Sequence, residues 1–163
     1  MKPARYSLTF IILHWLTVIL LIISAILSKQ KDMQGLPLNL HMILGCILVV
    51  VMSVRLVSKI RRGRSEKRNR NSDIFYLLLY LFVFFMLGMG GWIAYQRNLL
   101  GYLLDPNTAI GRGSFKRLAD IHKIGWQITL GWIILHVSMV TYRQLIRREP
   151  VFRRMWFGGG HTN

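Results

Sequence analysis

The chain contains five histidines, and four of them, His14, His41, His122 and His136, fall inside long apolar stretches. An ionisable side chain in such a stretch is expensive and is a functional candidate by default. His122 and His136 are 14 residues apart. Fourteen steps of about 100° fall roughly 40° short of four full helical turns, so both rings leave one helix face, about 21 Å apart along the axis. His14 lies about two turns into the first apolar stretch, level with His136. His41 opens the second stretch, level with His122. Two pairs at two depths result, each drawn from two different helices.

Several chemistries use histidine, and they want different arrangements. A zinc site gathers three or four ligands at one level. A proton relay wants carboxylates, and no apolar stretch carries one in its middle. A haem iron has four equatorial ligands from its porphyrin and takes two axial ones from opposite sides, hence from different helices. The pattern suits two bis-histidine b-type haems stacked across a membrane, with His14 and His136 as the inner pair and His41 and His122 as the outer pair. Histidines that only hydrogen-bond a neighbouring helix, or that bind quinone, are the alternative. The single Cys46 excludes a disulfide framework, a cysteine-rich zinc or iron–sulfur site and a C-x-x-C-H haem attachment.

Arg55 lies 14 residues after His41 and so shares its face, at the inner level. A haem propionate is an apt partner, since guanidinium binds carboxylate bidentately; snorkelling to the inner headgroups is the alternative. Gly45 and Gly125 stand one turn after His41 and His122, where a missing side chain lets a flat macrocycle approach or simply lets helices pack. Gly88, Gly90 and Gly91 suit close helix contact in a third stretch that has no histidine. His161, in the tail FGGGHTN, reads as a solvated terminal residue.

These residues need long helices to hold them. A bilayer core takes about 20 apolar residues per span. Four segments qualify: 8–28, 38–58, 74–95 and 118–142. They occupy more than half of the 163 residues, leaving no room for a Rossmann unit, a P-loop or a flavin domain. The expected fold class is all-α: a four-transmembrane-helix bundle enclosing two b-type haems, one integral-membrane domain over 1–163.

Composition agrees. Hydrophobic residues make up 53% of the chain, yet 22 Lys and Arg stand against 6 Asp and Glu, a formal charge of +16. Such charge in a soluble domain would suggest nucleic acid, but an apolar body with basic margins is a polytopic membrane protein. The N-terminus (Lys2, Arg5), the loop 59–70 with Arg55, and the C-terminal tail hold fifteen of the cations, and the opposite side holds seven. That asymmetry puts both termini in the cytoplasm. The loop KIRRGRSEKRNRNSD has no aromatic to stack on a base, so a topogenic, lipid-facing role is expected and nucleic acid is not. The first apolar run exceeds the 7–15 residues of a signal-peptide core and lacks a clear A-x-A site, so it is expected to be retained.

The sequence resembles the bacterial cytochrome b561 family of four-helix di-haem b cytochromes, whose members include membrane-bound superoxide oxidase. The resemblance rests on RYS and LHW near the start (Arg5–Ser7, Leu13–Trp15) and on His41, Gly45 and Arg55-Leu56 in the second span. It continues with IH at 121–122, LH at 135–136, and the ending RREPVFRRM. It implies haem ligation by His14 with His136 and by His41 with His122, and localisation in the bacterial inner membrane. The chain departs from the family at three positions: Lys123 stands where members often carry Glu, and Arg143-Gln144 where they often carry a His-His pair.

The resemblance implies electron transfer between an outer-side donor and a membrane quinone. If the likeness to superoxide oxidase extends to function, the donor is superoxide and the acceptor ubiquinone. The outer side carries seven cations less Asp32, Asp105 and Asp120, about +4, and a positive rim draws a small anion. Lys116, Arg117 and Lys123, beside His122, are the expected steering residues; generic solvation explains them equally. The rival is a cytochrome b subunit serving a periplasmic dehydrogenase or hydrogenase, with 96–117 (QRNLLGYLLDPNTAIGRGSFKR) as the docking surface and LLGYLL lying flat at the interface. A haem-free transporter is disfavoured, since no inverted repeat or broken helix is evident.

Overall fold

A computed structural model describes residues 7–29, 35–63, 70–105, 107–111 and 116–149, side chains apart at 62–63 and 70–73. Arg5 and Tyr6 of the RYS motif, most of the basic loop, and the tail from Pro150, with His161, lie outside the described residues. Among those described, the chain is helical with no strand: α1 (Leu8–Leu27), α2 (Leu36–Gly63), α3 (Arg70–Gln96), α4 (Leu99–Leu104) and α5 (Lys116–Leu145). Four of these are long and apolar enough to cross a membrane, matching the four expected spans. The helices outrun the apolar stretches at several ends, for example α2 to Gly63 and α3 back to Arg70. Apolarity marks where hydrocarbon ends, whereas the helical hydrogen-bond ladder runs on into the headgroup region.

The spans are rich in Ile, Val and Phe, which would favour strands in water. In hydrocarbon every backbone N–H and C=O must find a partner inside its own segment, and that forces helix. Hydroxyls obey the same rule. Thr17, Ser53, Ser58 and Thr129 donate to the carbonyls of Leu13, Val49, Val54 and Gly125, four residues back, at 2.7–2.8 Å. Ser7 caps α1, its hydroxyl accepting from the Phe10 N–H at 3.4 Å. Ile12, Ile19, Ile22, Val50, Leu77 and Ile134 lie exposed, as lipid-facing positions should.

Helix α1 packs chiefly on α2, and α3 chiefly on α5, with a lighter α2–α3 seam. The core is one cluster of Leu20, Leu21, Leu48, Val51, Met52, Tyr80, Val83 and Met86, flanked by Trp126 and Ile133. On each helix these positions fall between the outer and inner histidine levels. The tightest packing therefore separates the two levels and fixes their spacing.

Two connections are locally tied. The α3–α5 link turns at Asn98, whose φ of 54° starts α4, and α4 rests on α3 with Leu99 buried. The Gly111 N–H then donates to the Arg97 carbonyl at 2.9 Å, closing the excursion on itself. A Cβ at 111 would stand 3.2 Å from the Gln96 carbonyl, so glycine permits that closure. After α5, Arg143 donates from Nε and Nη2 to one carboxylate oxygen of Glu149, at 2.8 and 2.5 Å. The residue that stands where the family often has histidine thus anchors the chain leaving the bundle.

Candidate functional site

The outer level forms where the start of α2 meets the start of α5. The rings of His41 and His122 meet edge-on, with centres 6.3 Å apart and planes at 89°. Each is held at the same ring atom. Nδ1 of His122 lies 3.1 Å from the Met86 carbonyl on α3. Nδ1 of His41 lies 3.2 Å from the Ser24 carbonyl on α1 and 3.0 Å from the Ser24 hydroxyl. A carbonyl only accepts, so both Nδ1 atoms carry the proton and both Nε2 atoms keep their lone pairs. A second-shell carbonyl of this kind is what orients a ligating imidazole and sets its tautomer.

The separation also suits one metal between the rings. Metal–nitrogen bonds of about 2 Å, with roughly 1 Å from each nitrogen to its ring centre, put two opposed imidazole centres about 6 Å apart. Donor type, tautomer and spacing all fit a bis-histidine iron. Among the described residues no cluster of three or more His, Cys, Asp or Glu could hold a metal on its own.

The inner level lies at the other end of the core. His136 on α5 is edged by Tyr76 (5.7 Å) and stacked against Phe75 (6.2 Å), which itself stacks on Trp132 (5.1 Å). The Trp132 indole N–H donates to the Phe75 carbonyl at 3.2 Å, tying α5 to α3 there. Arg55 points into the bundle: its Nη2 lies 2.7 Å from Nδ1 of His14, with the guanidinium 5.5 Å from the Phe10 ring centre and 5.9 Å from that of Tyr80. It interacts electrostatically with both His14 and His136. Lys59, one turn further along α2, stands 5.2 Å and 5.3 Å from the ring centres of Tyr76 and Tyr80.

Four residues that sequence reading did not single out shape these levels: Ser24, Met86, Lys59 and Phe75. Gly90, grouped there with its neighbours, has a specific place. A Cβ on it would lie 3.2 Å from Cε1 of His122, whereas Gly88, Gly91 and Gly45 face open space. Gly125 is buried with the Phe85 ring 3.5 Å from where its Cβ would be, so it serves helix packing. Lys116, Arg117 and Lys123 are all exposed on the first turns of α5.

Two neutral imidazoles meeting from separate helices of a four-helix membrane bundle, each with Nε2 unprotonated, form the donor set that a haem iron takes. The family comparison agrees, since the description "prokaryotic cytochrome b561" matches residues 5–158. The chain belongs to that family, and is a multi-pass bacterial membrane protein that binds haem b and transfers electrons. No curated protein matches it.

Proposed function

We propose that the chain is a di-haem transmembrane oxidoreductase. His41 and His122 hold an outer haem b and His14 and His136 an inner one, with Arg55 as a partner for an inner propionate. Both termini lie in the cytoplasm, and electrons pass between a donor on the periplasmic side of the inner membrane and ubiquinone. Superoxide is the donor favoured by the exposed cations Lys116, Arg117 and Lys123 around the outer histidines. The observation that carries the reading is the outer pair itself, two imidazoles 6.3 Å apart with both Nδ1 atoms engaged by carbonyls. When bound, haem iron supplies one-electron chemistry by cycling between ferric and ferrous states. The protein supplies the paired outer imidazoles, two further histidines at the inner level and a packed apolar core between the levels.

A reduced-minus-oxidised visible spectrum of the purified protein tests the site. A b-type α-band with two haems per chain is expected, and content well below two defeats the reading. Mixing the protein with superoxide and ubiquinone tests the reaction, with haem reduction faster than the uncatalysed background expected.

The rival is a cytochrome b subunit of a periplasmic dehydrogenase or hydrogenase. It is favoured by the folded 97–111 excursion, on which Leu104 is 87% exposed. Superoxide leaving the haems unreduced, together with co-purification of a periplasmic redox partner, would support this alternative.

A further inference from the structure

The two histidine levels differ in what their ring nitrogens hold. At the outer level both Nδ1 atoms donate to backbone carbonyls. At the inner level Nδ1 of His14 faces Nη2 of Arg55 at 2.7 Å, and Nδ1 of His136 is buried without a hydrogen-bond partner among the described residues. A guanidinium has donors only, so Nδ1 of His14 is the acceptor and the proton of its neutral ring is on Nε2. A protonated nitrogen has no lone pair for iron. As a neutral imidazole His14 therefore cannot accept from Arg55 at Nδ1 and ligate through Nε2 at once. Ligation requires the proton to leave Nε2 and one to return at Nδ1, with no net uptake, and it requires Arg55 to move aside.

The surroundings of Arg55 indicate what would draw it away. Its Nε is buried without an acceptor, and its near neighbours Phe10 and Tyr80 present ring faces. Such a donor wants a carboxylate, which takes a guanidinium bidentately. Haem carries two carboxylates, and Lys59 places a second cation one turn along the same helix, over Tyr76 and Tyr80.

We propose that Arg55 is a two-position residue that makes the inner site selective for porphyrins with free carboxylates. On His14 it holds the ring in the tautomer that cannot ligate. On a porphyrin carboxylate it releases Nδ1 and lets Nε2 bind iron. The outer level, whose tautomers are set by backbone, makes no such selection. The inference rests on the di-haem reading above.

The test titrates haem-depleted full-length protein in detergent with haem and, separately, with its dimethyl ester, counting bound porphyrin per chain from the b-type absorbance. Two haems but one ester per chain are expected. His136→Ala should leave the ester count at one, which assigns that ester to the outer level; a fall to none overturns the proposal. In Arg55→Leu the ester count should rise from one to two, while inner-site retention of haem falls about tenfold. Native protein that takes two esters per chain overturns the proposal without any variant, so poor folding of Arg55→Leu does not shield it. Native protein that takes only one haem, by contrast, overturns the di-haem reading and the proposal with it.

Discussion

Gly90 and His122 are matched across the α3–α5 seam: a Cβ at 90 would stand 3.2 Å from Cε1 of the imidazole. The carbonyl that His122 engages, that of Met86, is one helical turn before Gly90 on the same helix. A side chain at 90 would press on the ring edge between its two nitrogens, beside the atom that reaches that carbonyl. The missing methyl is thus part of how the His122 ring is aimed.

Gly90→Ala should therefore weaken the outer haem specifically. The ring must yield by a few tenths of an ångström, and disturbing a second-shell contact typically lowers metal affinity about 10- to 100-fold. Haem retention during dilution, read from the α-band, should fall at the outer site alone. Gly91→Ala, which faces open space, is the matched control and should leave retention unchanged. Equal effects from the two variants would contradict the contact.

If the proposed di-haem assignment holds, His122→Ala and His41→Ala should each halve the haem content, because each would remove one axial ligand from the outer pair and none from the inner. The core between the levels is built from other side chains, Leu48, Val51, Tyr80 and Val83 among them, so the inner pair should keep its geometry. Quantitative haem extraction gives the count. Loss of both haems together would mean that the outer pair holds up the fold rather than one cofactor.

That His41 and His122 share one level was legible before any coordinates because helical rise and twist are fixed, so a position along a span converts directly into depth and face. The same arithmetic placed Arg55 level with His14, and the 2.7 Å contact agrees. The atoms that set the outer tautomers were not legible. They are the carbonyls of Ser24 and Met86, and every residue carries a carbonyl. Which of Gly88, Gly90 and Gly91 meets His122 depends on the rotation of α3 against α5, and α3 is apolar nearly all round, so no stripe reveals it. Hydropathy also located the spans well but not their polar extensions, because basic residues such as Lys59 and Arg61 continue α2 beyond its apolar limit.

Ser24→Ala separates two contacts on one ring. It removes the hydroxyl at 3.0 Å from His41 and keeps the carbonyl at 3.2 Å. Since one hydrogen bond contributes about 0.5–1.5 kcal/mol net, outer-haem affinity should drop by less than about tenfold. The tautomer, held by the carbonyl, should survive, so the low-spin bis-histidine spectrum should be unchanged. A switch to a high-spin spectrum would show that the hydroxyl, not the carbonyl, positions His41.

Charge steering and plain solvation make opposite forecasts for the exposed cations Lys116, Arg117 and Lys123. If they steer an anion, the triple change to Gln should slow haem reduction by superoxide roughly tenfold at low ionic strength. The difference should shrink as salt rises, because the Debye length contracts from about 30 Å at 0.01 M to about 8 Å at 0.15 M. A neutral quinol donor should reduce native and variant protein at the same rate at every salt concentration. If these cations only keep the helix end wetted, superoxide and quinol rates will respond alike. A loss that persists unchanged at high salt would point instead to a damaged outer site, which the haem count of the same preparation would reveal.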